Sequence, residues 1–558
     1  MKKIVVLLLM MMIGGGIAWS KRLDIMLAVV KYQADNEYEV AQTPVLTWPQ
    51  GPTTAAVAPA DRQPNIILIV ADDLGYNDIS TFGGGLTPTP GIDALAAEGA
   101  VFSQSYSGAS TCAPSRAMMM SGRYPTRTGF EFTPTPSGMG KMVSTVASSI
   151  DNNMPPGLYD EAMEAGQPPY EHKGLPASEV TIAETLKARG YYTAHIGKWH
   201  LGRDHGMAPH QQGFDDSLLM ASGLYLPEDD PNVVNAKLSF DPIDQFLWAR
   251  LNYANSFNTG DHNRFLPDGY ITDYWTDESI KVIKANKHQP FFLYLAHWGP
   301  HTPLQATRED YEAVGDIQPH RKRVYAAMIH AVDRSVARIT QALEDEGLTD
   351  NTLVVFTSDN GGAGYIGLPD VNKPYRGWKI TMFEGGLRVP LFVKWPAKVK
   401  AGTVLDQPVA HIDIAPTLAA AAGADNPKGV VIDGVDLMPL LVGGANGEAS
   451  NSWQRETLFW QNGHYQVVRH GDWKLQVNDR PTDGLQRWLF NLAEDPTERN
   501  NLASARRDKV EQLSALLAAH QASARGPLYE STTQLPVMVD KTGAENYVEG
   551  DEYVYTPN

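Results

Sequence analysis

The sequence predicts an α/β fold with a mainly parallel sheet sandwiched by helices, and a smaller C-terminal α+β domain that carries an antiparallel sheet. Residues 65–71 form a continuous apolar run rich in β-branched side chains, typical of a strand buried on both faces. Strand and helix patterns alternate after it, which favours parallel pairing. After about residue 447, short strand patterns follow one another between Asn-Gly and His-Gly-Asp turns, which indicates antiparallel hairpins.

The individual elements follow from local periodicity. The clearest helix covers 321–346, where apolar residues recur at spacings of three and four and form one stripe. The other helices are predicted over 90–98, 181–189, 273–286 and 505–519. Strands are predicted over 101–106, 191–196, 291–296 and 353–357, and over 457–460, 465–470, 472–477 and 487–490 in the C-terminal part.

The N-terminus is predicted to be an export signal. Lys2 and Lys3 precede an apolar run, and Ala18 and Ser20 are small residues at positions that suit cleavage. An uncleaved anchor is the alternative, although roughly 16 apolar residues are marginal for a bilayer span. We therefore expect an exported bacterial protein, periplasmic or secreted, without stable membrane association. The predicted organisation is a signal peptide at 1–20, a linker or surface arm at 21–63, a catalytic domain at 64–446, an α+β subdomain at 447–525 and a tail at 526–558.

Composition excludes some functions. Of the 558 residues, 43% are apolar and 20% charged, as in an ordinary globular protein, and the net charge of −18 argues against nucleic-acid binding. Cys112 is the only cysteine, so an intrachain disulfide and a multi-thiolate metal site are both excluded.

Polar residues follow four of the predicted strands. Asp72-Asp73 come after 65–71, Lys198 and His200 after 191–196, His297 and His301 after 291–296, and Asp359-Asn360 after 353–357. Ligands of open α/β sheets bind at the carboxyl ends of strands, so these side chains should converge. Helix capping or a turn would explain either acidic pair alone. Two such pairs side by side favour a hard cation with oxygen ligands, calcium rather than zinc.

Cys112 is predicted to lie just before a helix that contains Pro114 near its start and ends at Gly122. A helix N-terminus favours anions, which suits a catalytic cysteine. The alternative is a small buried apolar residue.

The run Cys112-Ala113-Pro114-Ser115-Arg116, followed by Gly122-Arg123, resembles the signature of the type I sulfatases, which belong to the alkaline-phosphatase-like superfamily. The resemblance extends from about Asn65 to about Leu502. Its further motifs are Asp72-Asp73, Gly197-Lys198-Trp199-His200, Pro300-His301-Thr302-Pro303, Asp359-Asn360-Gly361, and Lys379 with Glu384-Gly385-Gly386. Within this family, the chain resembles exported bacterial arylsulfatases and polysaccharide sulfatases.

This resemblance implies a sulfatase in which a maturing enzyme oxidises Cys112 to Cα-formylglycine, the nucleophile. It implies one calcium ion, with Asp72, Asp73, Asp359 and Asn360 as its ligands. The remaining implied roles are that Arg116 holds the modified side chain, Lys198 and Lys379 bind sulfate, His301 protonates the leaving alcohol, and His200 accepts the later proton. Asp359 is also implied to assist the first attack.

The expected substrate is a sulfated carbohydrate, selected by the insertions 130–180 and 203–270. The second insertion combines aromatic residues with arginines, namely Tyr225, Trp248, Arg250, Tyr253, His262 and Arg264. Four further histidines have separate interpretations. His297 is either a substrate contact or a packed residue, with neither favoured. His195 is interpreted as structural, and His205 and His210 as possible residues of the active-site rim. Two other functions stay open, a phosphodiesterase or phosphonate hydrolase of the same superfamily and a non-catalytic relative that binds sulfated glycans. The complete catalytic set argues against the latter.

Overall fold

The computed structural model describes residues 21–58, 61–136, 138–259, 263–444, 447, 453, 455–480 and 484–557. The predicted signal segment 1–20 lies outside these residues. Within them, every helix is too short or too polar to be a membrane span.

An eleven-stranded sheet forms the centre of the molecule. Its strands lie in the order Val40–Ala41, Arg264–Phe265, Tyr253–Phe257, Asp216–Gly223, Tyr192–Gly197, Phe291–Ala296, Asn65–Ala71, Thr352–Ser358, Leu391–Lys394, Ala100–Phe102 and Thr403–Leu405. The five strands from Asp216–Gly223 to Thr352–Ser358 are parallel to one another. The predicted α/β fold with a mainly parallel sheet is confirmed.

Helices cover both faces of this sheet, as the buried strand Asn65–Ala71 requires. Ile67 and Ile69 pack into a core with the helices Ile271–Ala285 and His320–Asp345. On the opposite face, Ile66, Leu68 and Val70 belong to a second core, which includes the helices Cys112–Ser121, Ile182–Ala188 and Ile414–Ala421. The other helices are Arg22–Glu37, Pro90–Ala97, Pro125–Thr128, Met139–Ala147, Glu161–Ala165, Pro242–Arg250, Arg308–Ala313, Glu384–Leu387, Met438–Gly443 and Arg507–Ala522.

The segment predicted to be a linker or arm contains a helix, Arg22–Glu37, and an edge strand, Val40–Ala41. The helix packs against Pro242–Arg250, and Ala34 is its one buried residue among those described. Leu23, Met26, Leu27 and Val30 are partly buried at helical spacing and pack against a small separate core. Apolar Ile25 and Val29 are exposed, so the stripe stands out only weakly from the rest of the helix in the sequence.

The C-terminal part contains the predicted antiparallel sheet. Its four strands are Thr457–Asn462, Tyr465–His470, Trp473–Arg480 and Gly484–Asn491. Leu513 and Leu517 of the helix Arg507–Ala522 pack against this sheet. The last residues, predicted only as a tail, form the strands Thr533–Met538 and Tyr553–Pro557, which pair with each other. Thr533–Met538 also pairs with Leu158–Tyr159. Two short two-stranded sheets join Leu304–Thr307 to Val233–Ala236 and Val409–Ala410 to Ser105–Tyr106.

Candidate active site

The two acidic pairs meet at the carboxyl edge of the central sheet. Ala71 lies opposite Ser358 in the parallel register, so the residues that follow the two strands are neighbours. The backbone N–H of Asp73 donates to Asp359 Oδ1 at 3.2 Å, and Asn360 Nδ2 donates to Asp73 Oδ1 at 2.8 Å. The convergence that the sequence predicts is therefore present for these residues.

Tight backbone geometry holds this edge together. Asp73 and His200 have φ values of 60° and 62°, in the left-handed region that side chains rarely occupy. A Cβ atom on Gly361 would lie 1.9 Å from the carbonyl oxygen of Gly385, so only glycine permits this contact between two of the sequence motifs. The site is held in a conformation that the surrounding fold imposes.

Cys112 is the first residue of the helix Cys112–Ser121 rather than the residue before it. Gly122, with φ 67°, ends the helix as predicted. Cys112 Sγ lies 3.6 Å from Asp72 Oδ1 and 3.8 Å from Asp73 Oδ1. Burial and the nearby carboxylates raise the pKa of this thiol, so the unmodified side chain is a poor nucleophile.

Arg116 is fully buried one helical turn after Cys112. Its guanidinium donates to Asp72 Oδ2 at 3.0 Å and to Asp359 Oδ2 at 2.9 Å. It also donates to the carbonyl of Lys198 and to the Tyr294 hydroxyl. Every guanidinium nitrogen therefore has a partner other than Cys112, and the contacts of Arg116 position the carboxylates. Burial alone would raise the pKa of Asp359, but the charges of Arg116 and Lys198 lower it, so this carboxylate is ionised.

Two lysines pair with the adjacent carboxylates of Asp72 and Asp73. Lys198 Nζ lies 2.6 Å from Asp72 Oδ2, and Lys379 Nζ lies 2.7 Å from Asp73 Oδ1. The Lys198 ammonium also lies 4.6 Å from the centroid of the Trp298 ring. Both ammonium groups line the cavity, and each is paired with a carboxylate.

His301 lies beside the carboxylate of Asp73. Its ring stacks on Trp298 with centroids 3.9 Å apart, and its Nδ1 lies 2.5 Å from the Thr302 carbonyl oxygen. Nδ1 is therefore the donor to that carbonyl, and Nε2, 3.5 Å from Asp73 Oδ2, faces the carboxylates.

Burial, followed by the charge of Lys379, lowers the pKa of His301. Burial and the charge of Lys198 likewise lower the pKa of His200. Both shifts favour the neutral imidazole, in which Nε2 of His301 is a proton acceptor.

These groups line an open cavity of about 200 Å³. Its inner end is formed by Cys112, Lys198, His200, His301 and Lys379. Both predicted insertions contribute to its walls, through Thr133, Pro134, Thr135, Pro136, Met139 and Tyr170, and through Arg203, Met220, Ile243, Leu247, Arg250 and Arg264.

The four histidines that the sequence left open lie outside the walls of this cavity. His297 is fully buried, and its Nε2 lies 2.9 Å from Ser335 Oγ, which makes it a packed residue. His195 is also buried and bonds to Ser217, in keeping with a structural role. His205 and His210 are exposed. Arg203, two residues before His205, lines the cavity.

Of the remaining insertion residues, Tyr225 donates its hydroxyl to the carbonyls of Trp298 and His301 and so supports the loop below the cavity. Trp248 and Tyr253 are buried. His262 lies outside the described residues.

Sequence reasoning missed Tyr365. Its hydroxyl donates to Asp73 Oδ2 at 3.0 Å and accepts from Lys379 Nζ at 3.2 Å, so it links a carboxylate to a cation of the site. Nothing near Tyr365 in the chain marks this role. Trp298 could have been found, because it lies two residues before the Pro300-His301 motif.

The donor set fits a hard metal ion. Asn360 Oδ1 is buried and has no hydrogen-bond partner among the described residues, which leaves a carbonyl oxygen available as a ligand. The ligand atoms of Asp72, Asp73, Cys112 and His301 lie within 4.8 Å of one another. Asp359, the remaining predicted ligand, is shared with Arg116.

Comparison with known proteins identifies the chain. Residues 64–424 match the family model for sulfatases. The chain belongs to the sulfatase family. As a sulfatase it is a sulfuric ester hydrolase with the alkaline-phosphatase-like fold, and residues 376–523 match the C-terminal model of N-sulphoglucosamine sulphohydrolase.

The sulfatase is 31% identical to human N-acetylgalactosamine-6-sulfatase over 492 residues, which cover 83% of this chain and 86% of that protein. It is 30% identical to mouse steryl-sulfatase, with 84% of each chain covered. The crystal structure of Ps i-CgsB superposes with a TM-score of 0.67 at 30% identity, covering 84% of this chain and 95% of that one. The phosphonate monoester hydrolase of Agrobacterium radiobacter, at 19% identity and a TM-score of 0.52, covering 82% and 96%, shares the fold alone.

Proposed function

We propose that this sulfatase hydrolyses sulfate esters of a carbohydrate with a formylglycine made from Cys112 and a bound calcium ion. The observation that carries the proposal is the inner end of the cavity, which Cys112 lines together with Lys198, His200, His301 and Lys379. Cys112 is close enough to both lysines for their charges to act on its pKa. This arrangement has an anion site, a position for a nucleophile and two proton carriers in one place.

Calcium would be held by Asp72, Asp73, Asp359 and Asn360. All four offer oxygen atoms, and the unpartnered Asn360 Oδ1 supports this assignment. When bound, the ion would neutralise charge on the sulfate oxygens and polarise the sulfur. Arg116 keeps Asp72 and Asp359 in place through its two ion pairs.

Formylglycine at position 112 would supply a hydrated aldehyde as the nucleophile toward sulfur. Conversion by a maturing enzyme fits the Cys-x-Pro-Ser-Arg motif, and the raised pKa of the unmodified thiol argues against Cys112 acting unchanged. Lys198 and Lys379 would bind the sulfate oxygens as point charges.

The two histidines would move the protons. His301 presents Nε2 toward the site while Nδ1 donates to Thr302, so Nε2 would protonate the departing alcohol from the imidazolium form, which the negative charge of a bound sulfate ester would favour. His200, two residues after Lys198, would accept the proton when sulfate is released. Its Nδ1 is buried without a partner among the described residues, which leaves it available for that transfer.

A sulfated carbohydrate suits the outer cavity. Tyr170 offers an aromatic face, and Arg203, Arg250 and Arg264 offer positive charge. Arg250 is positioned by Glu37 at 2.6 Å, and the Arg264 guanidinium lies 3.6 Å from the centre of the Tyr38 ring. Ps i-CgsB has been solved in complex with k-i-k-neocarrahexaose, a sugar ligand that supports this class.

A second cavity of about 120 Å³ adjoins the first and shares Ile243, Tyr365, Lys379 and Ile380 with it. This additional space favours an oligosaccharide or polysaccharide over a single sugar. We also propose that residues 1–20 direct export to the periplasm or medium.

The test combines two measurements. The mass of the peptide that contains Cys112 should be that of the aldehyde in enzyme produced with a maturing enzyme. Sulfate release should be measured on sulfated oligosaccharides of increasing length, with phosphonate monoesters and phosphodiesters as comparison substrates. An unmodified thiol in fully active enzyme would refute the formylglycine assignment. Faster turnover of the phosphorus esters would favour the alternative function, a phosphodiesterase or phosphonate hydrolase.

A further inference from the structure

Two loops at the rim of the active-site cavity bring two imidazoles and a carboxylate together. His172 ends the helical turn Tyr170–His172, and Asp204 and His205 follow Arg203 in the second insertion. One ligand atom from each of His172, Asp204 and His205 lies within 4.8 Å of the other two. None of the three takes part in the reaction proposed above.

The backbone holds the two loops together independently of these side chains. The N–H of Arg203 donates to the carbonyl of Glu171 at 3.3 Å, and the N–H of Leu175 donates to the carbonyl of Leu201 at 3.0 Å. The Arg203 guanidinium lies 5.2 Å from the centre of the Tyr170 ring. The two loops that carry the three side chains are therefore joined by backbone hydrogen bonds that do not depend on a metal ion.

The side chains converge, although those of Asp204 and His205 are about half exposed. The rings of His172 and His205 have centroids 3.8 Å apart at an interplanar angle of 60°. His205 Nδ1 lies 3.6 Å from Asp204 Oδ2. Asp204 Oδ1 accepts the N–H of His205, whose φ of 54° lies in the left-handed region. An unusual backbone conformation thus directs His205 toward the other two groups.

We propose that His172, Asp204 and His205 bind a zinc ion, or a similar transition metal ion, at the cavity rim. Two imidazole nitrogens and a carboxylate oxygen suit zinc, whereas calcium prefers oxygen ligands alone. Ligands of a tetrahedral zinc ion lie about 3.4 Å apart at bond lengths of about 2.0–2.1 Å, so the donors need only a small inward shift. The exposure of His205 leaves the fourth position to water or to a substrate group.

The ion would fix the rim of the cavity. Tyr170 and Arg203, next to the ligands in the two loops, both line the cavity. A metal bridge between the loops would hold this aromatic face and this cation in one arrangement. The expected consequence is tighter binding of substrates that reach the rim, without a change at Cys112.

The experiment measures zinc binding directly and does not depend on catalytic activity. The protein carries Cys112→Ala and is saturated with calcium, because the inner cluster that includes Cys112 could otherwise take zinc. Bound zinc is determined by equilibrium dialysis at micromolar Zn²⁺ and mass spectrometry of the metal. We expect one zinc ion per chain, lost in the double variant His172→Gln/His205→Gln and bound at least about tenfold more weakly in Asp204→Asn.

His210→Gln is the matched control, since His210 is an exposed histidine in the same insertion and should not affect zinc binding. Circular dichroism checks that each variant is folded. Hydrogen exchange across 170–175 and 201–207 should slow on addition of zinc only in proteins that keep the three ligands. Equal zinc content and affinity in the double variant and its parent, or no zinc bound by the parent at micromolar concentration, would overturn the proposal.

Discussion

Replacing His301 with alanine should cost activity in proportion to how poorly the alcohol leaves. His301 Nδ1 donates to the Thr302 carbonyl, so Nε2 is the one ring nitrogen that can reach the substrate. A sugar alkoxide needs that proton as its S–O bond breaks, whereas nitrophenolate leaves without it. The substitution removes the proposed proton donor and retains the two lysines that are proposed to bind sulfate.

The expected loss of activity in His301→Ala follows from the contribution that a single general acid makes to catalysis. General acid catalysis contributes about 10²- to 10⁴-fold, or about 2.7–5.4 kcal/mol of activation free energy. We expect His301→Ala to lose that factor in kcat/KM on a sulfated sugar and less than about tenfold on nitrophenyl sulfate. The stacking of His301 on Trp298 is lost with both substrates and cancels in the ratio.

The assay compares kcat/KM of each variant on the two substrates. His297→Asn is the matched control, because His297 is also buried and bonded to Ser335 but lies outside the cavity. Its ratio between the two substrates should equal that of the parent enzyme. His200→Ala should slow both substrates by the same factor, since His200 is proposed to act after the alcohol has left. Equal losses for His301→Ala on both substrates would refute the reasoning.

Three further predictions concern single side chains. Cys112→Ala and Cys112→Ser should abolish sulfate release with an unchanged circular dichroism spectrum, because neither can become the aldehyde, and measurable turnover would contradict the mechanism. Asp73→Asn should weaken calcium binding, measured by calorimetry, since a hard ion depends on its carboxylates; unchanged affinity would exclude Asp73 as a ligand. Asp310→Asn should lower the free energy of unfolding by about 2 kcal/mol at pH 7. Burial alone would raise the pKa of Asp310, but hydrogen bonds from His330 and Arg334 lower it from 3.8 to about 2.

The sign of the Asp310 effect sets its pH dependence. A depressed pKa contributes stability above the unfolded value, near pH 4, and loses it as the pH falls toward 2. The difference between parent and variant in urea unfolding should therefore shrink from pH 7 to pH 3. A difference that stays constant with pH would show that Asp310 stabilises the protein by packing instead.

Much of the site could be predicted because it follows the strands. The run 65–71 predicts its own burial on both faces, and the parallel register then places Asp73 beside Asp359 and Asn360. A rule about strand ends suffices here, since the geometry of a parallel sheet carries residues from distant sequence to one edge. The motif around Cys112 identifies the helix, and the structure corrects its first residue by one position.

Only the tertiary structure decided which neighbours these residues have. Arg116 is sequestered by Asp72 and Asp359, 44 and 243 residues away, and Tyr365 joins the site through Asp73 from 292 residues away. Such contacts have no period, and one side chain's choice among several partners depends on packing distances that local patterns do not contain. The helix Arg22–Glu37 escaped detection because the exposed apolar residues Ile25 and Val29 obscure the stripe that packs on the core. The sequence by itself determined the fold class and the chemistry at the strand ends. Long-range packing alone determined how the charges pair and which side chains line the cavity.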